Sequence, residues 1–398
     1  MTTTGASVTR QAGITAAHPS TAARERTTAT ARVFFADHMR VALIALVVIH
    51  HLTIAFAIPL PGLWYYEDPT TSTVANVAGL FILLIDQAFF MGAFFLIAGY
   101  FTPSSYDRKG AGGFLRDRLI RLIVPLFAFD LVLGPLAEIP SRIEAHGHPS
   151  WGLYLKMTNQ GPLWFAEVLF LLCCGYTAFR LLLRRPAPER APGPAAPPTA
   201  RAVLLFTVAL ATVTFVFRLI IPVGYWLPIL NLPTPAYLPQ YVSLFALGIV
   251  AARRGWFRSV PDWMGWTGLA ISAVATVVLL LPALATGLKS GTFAGGMHWQ
   301  AAAYALWDST LSVGVFLGLL VAFRRWADRA GRLWDELSRN AFGVFVLHAP
   351  LIVGVTLVLI AVPLEPLLKL ALAIVITLPL CFTVSGLVRR IPGVARVL

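Results

Sequence analysis

Apolar runs of about twenty residues, the length a helix needs to cross a roughly 30 Å hydrocarbon core, follow one another along almost the whole chain after residue 40. They fall near 41–60, 78–101, 119–139, 163–183, 203–221, 237–252, 266–286, 301–323, 341–361 and 367–388. The pattern predicts an all-α fold, a polytopic bundle of about ten transmembrane helices. The sixth run is the shortest of them.

Composition narrows the class further. Only 12% of the 398 residues are charged and 58% are hydrophobic, against roughly a quarter charged in soluble chains. A set of separate soluble domains is excluded. The formal charge of +13 would fit a nucleic-acid partner if the basic residues formed one patch, but they sort by loop instead. Of the 31 Lys and Arg only Arg142, Lys156, Arg218, Lys289 and Lys369 fall outside the N-terminal tail, the alternate loops and the C-terminus, which hold the other 26. By the positive-inside rule this predicts N-in and C-in, and with them an even number of spans.

The expected organisation is a disordered cytosolic tail over 1–32, a membrane domain over 33–390 and a short cytosolic C-terminus over 391–398. The tail is Thr-, Ala- and Arg-rich without amphipathic period, and no cleavable signal peptide is expected. The Pro/Ala stretch Arg185–Arg201 predicts a semi-rigid linker. In the external loops Trp64, Tyr65, Tyr66, Tyr225 and Trp226 fit an interfacial aromatic belt. Cys173, Cys174 and Cys381 all fall in apolar runs, so neither a disulfide framework nor a metal site is expected. No inverted repeat is evident.

Ionisable side chains inside a bilayer are costly and mark function or pairing. Here they are His50 and His51, Asp86, Asp130, Glu167, Arg218, Asp308 and His348. At about 1.5 Å per residue His51 sits roughly 16 Å beyond Arg40, and Asp130 at a similar depth along its own span. Asp86 comes to nearly the same level from the opposite face. Glu167 and Arg218 belong near the external face, where they would pair with each other or handle an acceptor. Arg40 and His51 are eleven residues apart, which returns them to within about 20° on one helix face. Burial disfavours a charged imidazole and leaves it able to take a proton, as a general base must. An arginine at the cytosolic mouth of the same face can hold the anionic end of a substrate while the histidine works at the far end. Arg116, Arg118 and Arg121 cluster at the cytosolic surface, with Arg118 and Arg121 at the i, i+3 spacing, and offer fork-shaped donors to a phosphate-rich cofactor.

The segments DHMRVALIALVVIHHL, AGYF and FLRDRLIRLIVPL, supported by GPLWFAEVLFLL, YLPQYVSLFALGIVAARRGW and NAFGVFVLHAP, resemble the acyltransferase-3 family of ten-helix membrane acyltransferases. The resemblance covers about 33–390. It implies transfer of an acyl group, acetyl or another short chain, from acyl-CoA to a hydroxyl of a carbohydrate, glycan or small molecule. It also implies His51 as catalytic histidine with Arg40 as its partner, and Arg116, Arg118 and Arg121 at the acyl-CoA phosphates, without metal. His50, Asp86, Asp130 and Glu167 are possible supporting residues, and which carboxylate orients His51 stays open. Ala98 stands where the family has Ser before Gly-Tyr, and doubling the histidine makes His50 a competitor for the catalytic place. No appended hydrolase domain is expected. The expected location is a bacterial plasma membrane, crossed many times. The rival class is a secondary transporter or flippase, which also uses midplane His and Asp.

Overall fold

The computed structural model describes residues 1–2, 33–58, 64–146, 151–183, 196–227, 232–233 and 235–398. Most of the expected tail and the first part of the Pro/Ala linker lie outside the described residues. The chain divides into Met1–Val33 and Phe34–Leu398, and the helices belong to the second unit. Among the described residues nine helices are long and apolar enough to cross a membrane. They are α1 Phe34–Ala57, α2 Thr73–Ala145, α3 Gly161–Leu183, α4 Ala200–Arg218, α5 Pro235–Arg254, α6 Asp262–Gly287, α7 Trp299–Trp326, α8 Arg332–Leu359 and α9 Pro366–Val388.

The count of nine against the expected ten has a local cause. At 73 residues, α2 would be on the order of 110 Å long if straight, several times a bilayer core. It is not straight. Gly110 takes φ 68° and ψ 173°, a conformation glycine adopts without the clash a Cβ would bring. The rings of Tyr106 and Phe114 then meet at 5.7 Å, whereas eight residues of continuous helix would separate them by about 12 Å. The chain turns back at Gly110, and the expected second and third spans both lie within α2.

Beyond the turn, α2 opens into π turns at Leu119–Ile123 and Phe129–Leu133. Pro125 and Pro135 lack the amide that an α-helix would use at those points. The Leu131 carbonyl accepts from the Tyr154 hydroxyl instead.

Helix α1 occupies the middle. It packs against α2, α7, α8 and α9, and 67% of its most apolar window is buried, against 22% for the peripheral α4. The tightest crossing joins α2 to α5. A Cβ on Gly99 would lie 2.1 Å from the Phe245 carbonyl oxygen, and one on Gly248 2.2 Å from that of Leu96. The two backbones therefore touch, as small residues permit between membrane helices. The AGYF and LFALGIV segments have these glycines because nothing larger fits.

Three polar clamps tie helices together. Asp107 accepts from Arg180 of α3 at 3.0 Å and pairs with Arg253 of α5 at 2.6 Å. Arg218 of α4 pairs with Asp308 of α7 at 2.5 Å, both about 1% exposed. Lys369 of α9 donates to Asp68, in the segment between α1 and α2, at 2.6 Å, both about 2% exposed.

Candidate active site

His51 lies in the last two turns of α1, half-buried. Its Nδ1 is 2.9 Å from the Val47 carbonyl oxygen one turn earlier and 3.2 Å from Nε2 of His348 on α8. The Nδ1 of His348 is itself 2.7 Å from the Phe345 carbonyl oxygen. A carbonyl can only accept, so each of these short contacts needs a hydrogen on Nδ1. The carbonyl partners assign both imidazoles as Nδ1–H tautomers. His348 presents the bare Nε2 to His51, and His51 keeps its own Nε2 lone pair clear of both bonds. An uncharged imidazole with an oriented, available lone pair is what a general base requires.

The third member of the cluster comes from the segment before α2. The indole of Trp64 stacks on His51 with ring centroids 4.3 Å apart and planes 27° from parallel, and reaches His348 at 6.3 Å. That segment is held by its own polar bonds. The Trp64 amide donates to Glu67 at 2.9 Å, the Asp68 amide to the Ala55 carbonyl at 2.9 Å and the Thr70 amide to the Asp68 carboxylate at 2.8 Å. Burial pushes the Asp68 carboxyl up, but the Lys369 and Thr70 donors outweigh it and hold it below the usual carboxylate range. Tyr65 donates to Asn159 at 3.0 Å. Burial, with Glu138 nearby, pushes its phenol above the ordinary tyrosine value, so it remains a donor.

The anticipated site residues distribute unevenly. Arg40 lies on α1 toward its start, half-exposed and 3.4 Å from Asp37, on the helical face expected for it. His50 stacks on Phe90 and faces Asp86 across 3.7 Å, so that carboxylate serves His50 and not His51. Asp130 is half-buried at the second π turn and touches neither histidine among the described contacts. The partner of His51 is another histidine.

Glu167 accepts from Gln160 at 2.9 Å. The pair anticipated between Glu167 and Arg218 does not form, because α4 packs on α7 and meets Asp308 there. Arg116 is exposed, Arg121 lies 3.5 Å from Asp117, and Arg118 turns over the Phe114 ring at 5.2 Å. The spacing of Arg118 and Arg121 does not give them like surroundings, since the π turn starting at Leu119 rotates the residues after it. Among the described residues no group of three or more His, Cys, Asp or Glu could hold a metal ion.

Sequence reasoning misses two members of the cluster. Trp64 fits an interfacial belt by its place in the chain, yet it packs inward on a histidine, whereas Tyr225 and Trp226 are 43% and 51% exposed. His348 stands among the intramembrane ionisable residues and inside NAFGVFVLHAP, which is signal enough to nominate it but not to pair it.

The acyltransferase-3 family model, described as an acyltransferase domain, matches residues 33–386. No curated protein and no solved structure matches the chain. The matched span takes in every residue of the His51 cluster and nearly all of the helical bundle. The chain belongs to the acyltransferase-3 family and is a membrane acyltransferase.

Proposed function

We propose that this acyltransferase moves a short acyl group, acetyl in the simplest case, from acyl-CoA to a hydroxyl of a carbohydrate, glycan or small molecule, with His51 as general base. The observation that carries the reading is the tautomer of His51. One hydrogen on Nδ1, shared between the Val47 carbonyl and Nε2 of His348, leaves Nε2 of His51 to take the hydroxyl proton. The acceptor oxygen then attacks the thioester carbonyl, the carbon–sulfur bond breaks, and the proton held on Nε2 passes to the departing thiolate. Removing the proton during attack supports a rate factor of about 10²–10⁴.

The donor side of the reading rests on charge. Arg40 lies on the His51 face roughly 16 Å away, a distance that the pantetheine arm of coenzyme A spans. Arg116, Arg118 and Arg121 add cationic donors beside the turn at Gly110. With N-in and C-in orientation these arginines face the cytosol, where acyl-CoA is found, and the host membrane is a bacterial plasma membrane.

Purified protein is incubated with acetyl-CoA and a panel of hydroxyl acceptors, and both coenzyme A release and an acetyl mass gain on the acceptor are measured. Both signals are expected, and both are lost in His51→Ala. Acetyl-CoA-independent movement of a solute by protein that releases no coenzyme A would return the carrier reading.

A further inference from the structure

When His51 takes a proton from the acceptor it becomes an imidazolium inside the bundle, and an unpaired buried cation is expensive. In many hydrolytic sites a carboxylate opposite the imidazole balances that charge. Here none does so. The groups facing His51 are His50 on its own helix, at 5.4 Å between centroids, His348 on α8 and Trp64 from the segment before α2. Asp86 lies beyond His50, and neither histidine brings a negative charge. His348 shares the Nδ1 hydrogen with the Val47 carbonyl, which orients the ring but supplies only a neutral lone pair.

Trp64 supplies what is missing. An aromatic face is the negative pole of the ring quadrupole and attracts a cation centred within about 6 Å, with indole the strongest of the natural rings. The Trp64 and His51 rings lie 4.3 Å apart in a stacked arrangement, so the whole imidazolium would spread over that face. The ring is held there before any charge appears, because the Asp68–Lys369 pair and the Glu67 bond fix the segment that bears it. An electrostatic partner already in place need not reorganise as the reaction proceeds.

We propose that Trp64 is a positioning residue that carries, on the face of its indole, the positive charge His51 acquires on taking the acceptor proton. This rests on the reading of His51 as general base and names the group that makes such a base workable without a carboxylate. Its contribution arises as charge develops, so it acts on kcat and not on the binding of either substrate.

The test uses the full chain with tryptophan carrying one, two or three ring fluorines inserted at position 64 alone, by codon reassignment. Fluorine withdraws density from the face while leaving ring shape nearly unchanged. Coenzyme A release from acetyl-CoA is followed in octyl glucoside micelles, whose sugar hydroxyls and water are the acceptors. The expected result is a stepwise fall in kcat with fluorine number at constant KM for acetyl-CoA. Trp64→Leu loses about tenfold to thirtyfold, and Trp64→Tyr or Trp64→Phe falls between. A constant kcat across the fluorine series, with His51→Ala inactive, overturns the role of Trp64 and spares the general base. A His51→Ala variant as active as the parent, or a parent releasing no coenzyme A, overturns both.

Discussion

The contrast between two of the polar clusters in this bundle, at Arg218 and at His51, separates a clamp from a reaction site. Around Arg218 the charges are matched. The guanidinium meets Asp308 at 2.5 Å, lies over the rings of Tyr237 and Tyr304 at 4.7 and 5.2 Å, and the two phenols bond each other at 3.0 Å. Full charges of opposite sign are held beside one another, out of reach of solvent. Around His51 the members are uncharged in their resting tautomers, and one nitrogen is directed at neither of the bonds that fix the ring. Expensive charges are matched where they are permanent, and left unmatched by any carboxylate where charge is needed only in passing.

Removing His51 attacks the open cluster and gives the largest effect. His51→Ala is expected to lower coenzyme A release by about 10²–10⁴-fold with the protein still monodisperse and inserted. His50→Ala keeps measurable turnover, because His50 faces Asp86 and Phe90. Loss confined to His50→Ala would move the base by one residue and erase the contrast.

Breaking the closed cluster has the opposite signature. Arg218→Met strands Asp308 in the interior, an injury of about 3–5 kcal/mol read as a lowered thermal midpoint in detergent. The double variant Arg218→Met with Asp308→Leu is expected to recover much of that loss, and the folded fraction of either keeps the parental KM. A lost midpoint that the double variant fails to restore would mean the ring contacts, not the ion pair, hold α4 to α7.

Charge at the cytosolic end sharpens the comparison by acting on the donor alone. Replacing Arg116, Arg118 and Arg121 together with Gln is expected to raise the KM for acetyl-CoA on the order of tenfold, from loss of charge-assisted contacts to phosphate. The acceptor dependence should not change, and the parent's own KM should rise with salt. An unaltered KM in the inserted triple variant would leave the cluster as an orientation signal only.

The smallest effect concerns the pair that anchors the Trp64 segment. The Asp68 carboxyl is held below its unfolded value of about 3.9, so its stabilisation is fully present above that pH and is lost as pH falls through the folded value. The thermal midpoint should therefore drop on acidification below about pH 4, and this part of the drop should vanish in Asp68→Asn. An identical acid profile in both proteins would remove Asp68 from the acid response.

Much of the bundle was legible because run length alone reports a membrane span, and every expected run coincides with a helix. The merger of two runs into α2 was not, since the polar stretch between them stays helical on both sides of Gly110 and does not unwind into a loop. The shared face of Arg40 and His51 is a phase relation that spacing within one helix gives by itself. His348 lies 297 residues further on, and no local spacing could bring it to His51. Trp64 misled because an aromatic beside a membrane edge fits the interface on composition, while its inward turn depends on a bond between Asp68 and a lysine near the chain's end. Glu167 and Arg218 share a depth, and depth says nothing of which helices are neighbours.

The contact of α2 with α5 at Gly99 and Gly248 also has a mechanical meaning. Sliding of packed helices occurs where a layer of side chains can change rotamer between them. At this seam the layer is absent, and each backbone rests against the other's carbonyl oxygens. The Gln240 amide, bonded to the Ala88 carbonyl at 2.7 Å, pins the same seam at a second level. The two helices thus behave as one beam, and whatever flexing admits an acceptor to His51 must be taken up along the other flanks of α1.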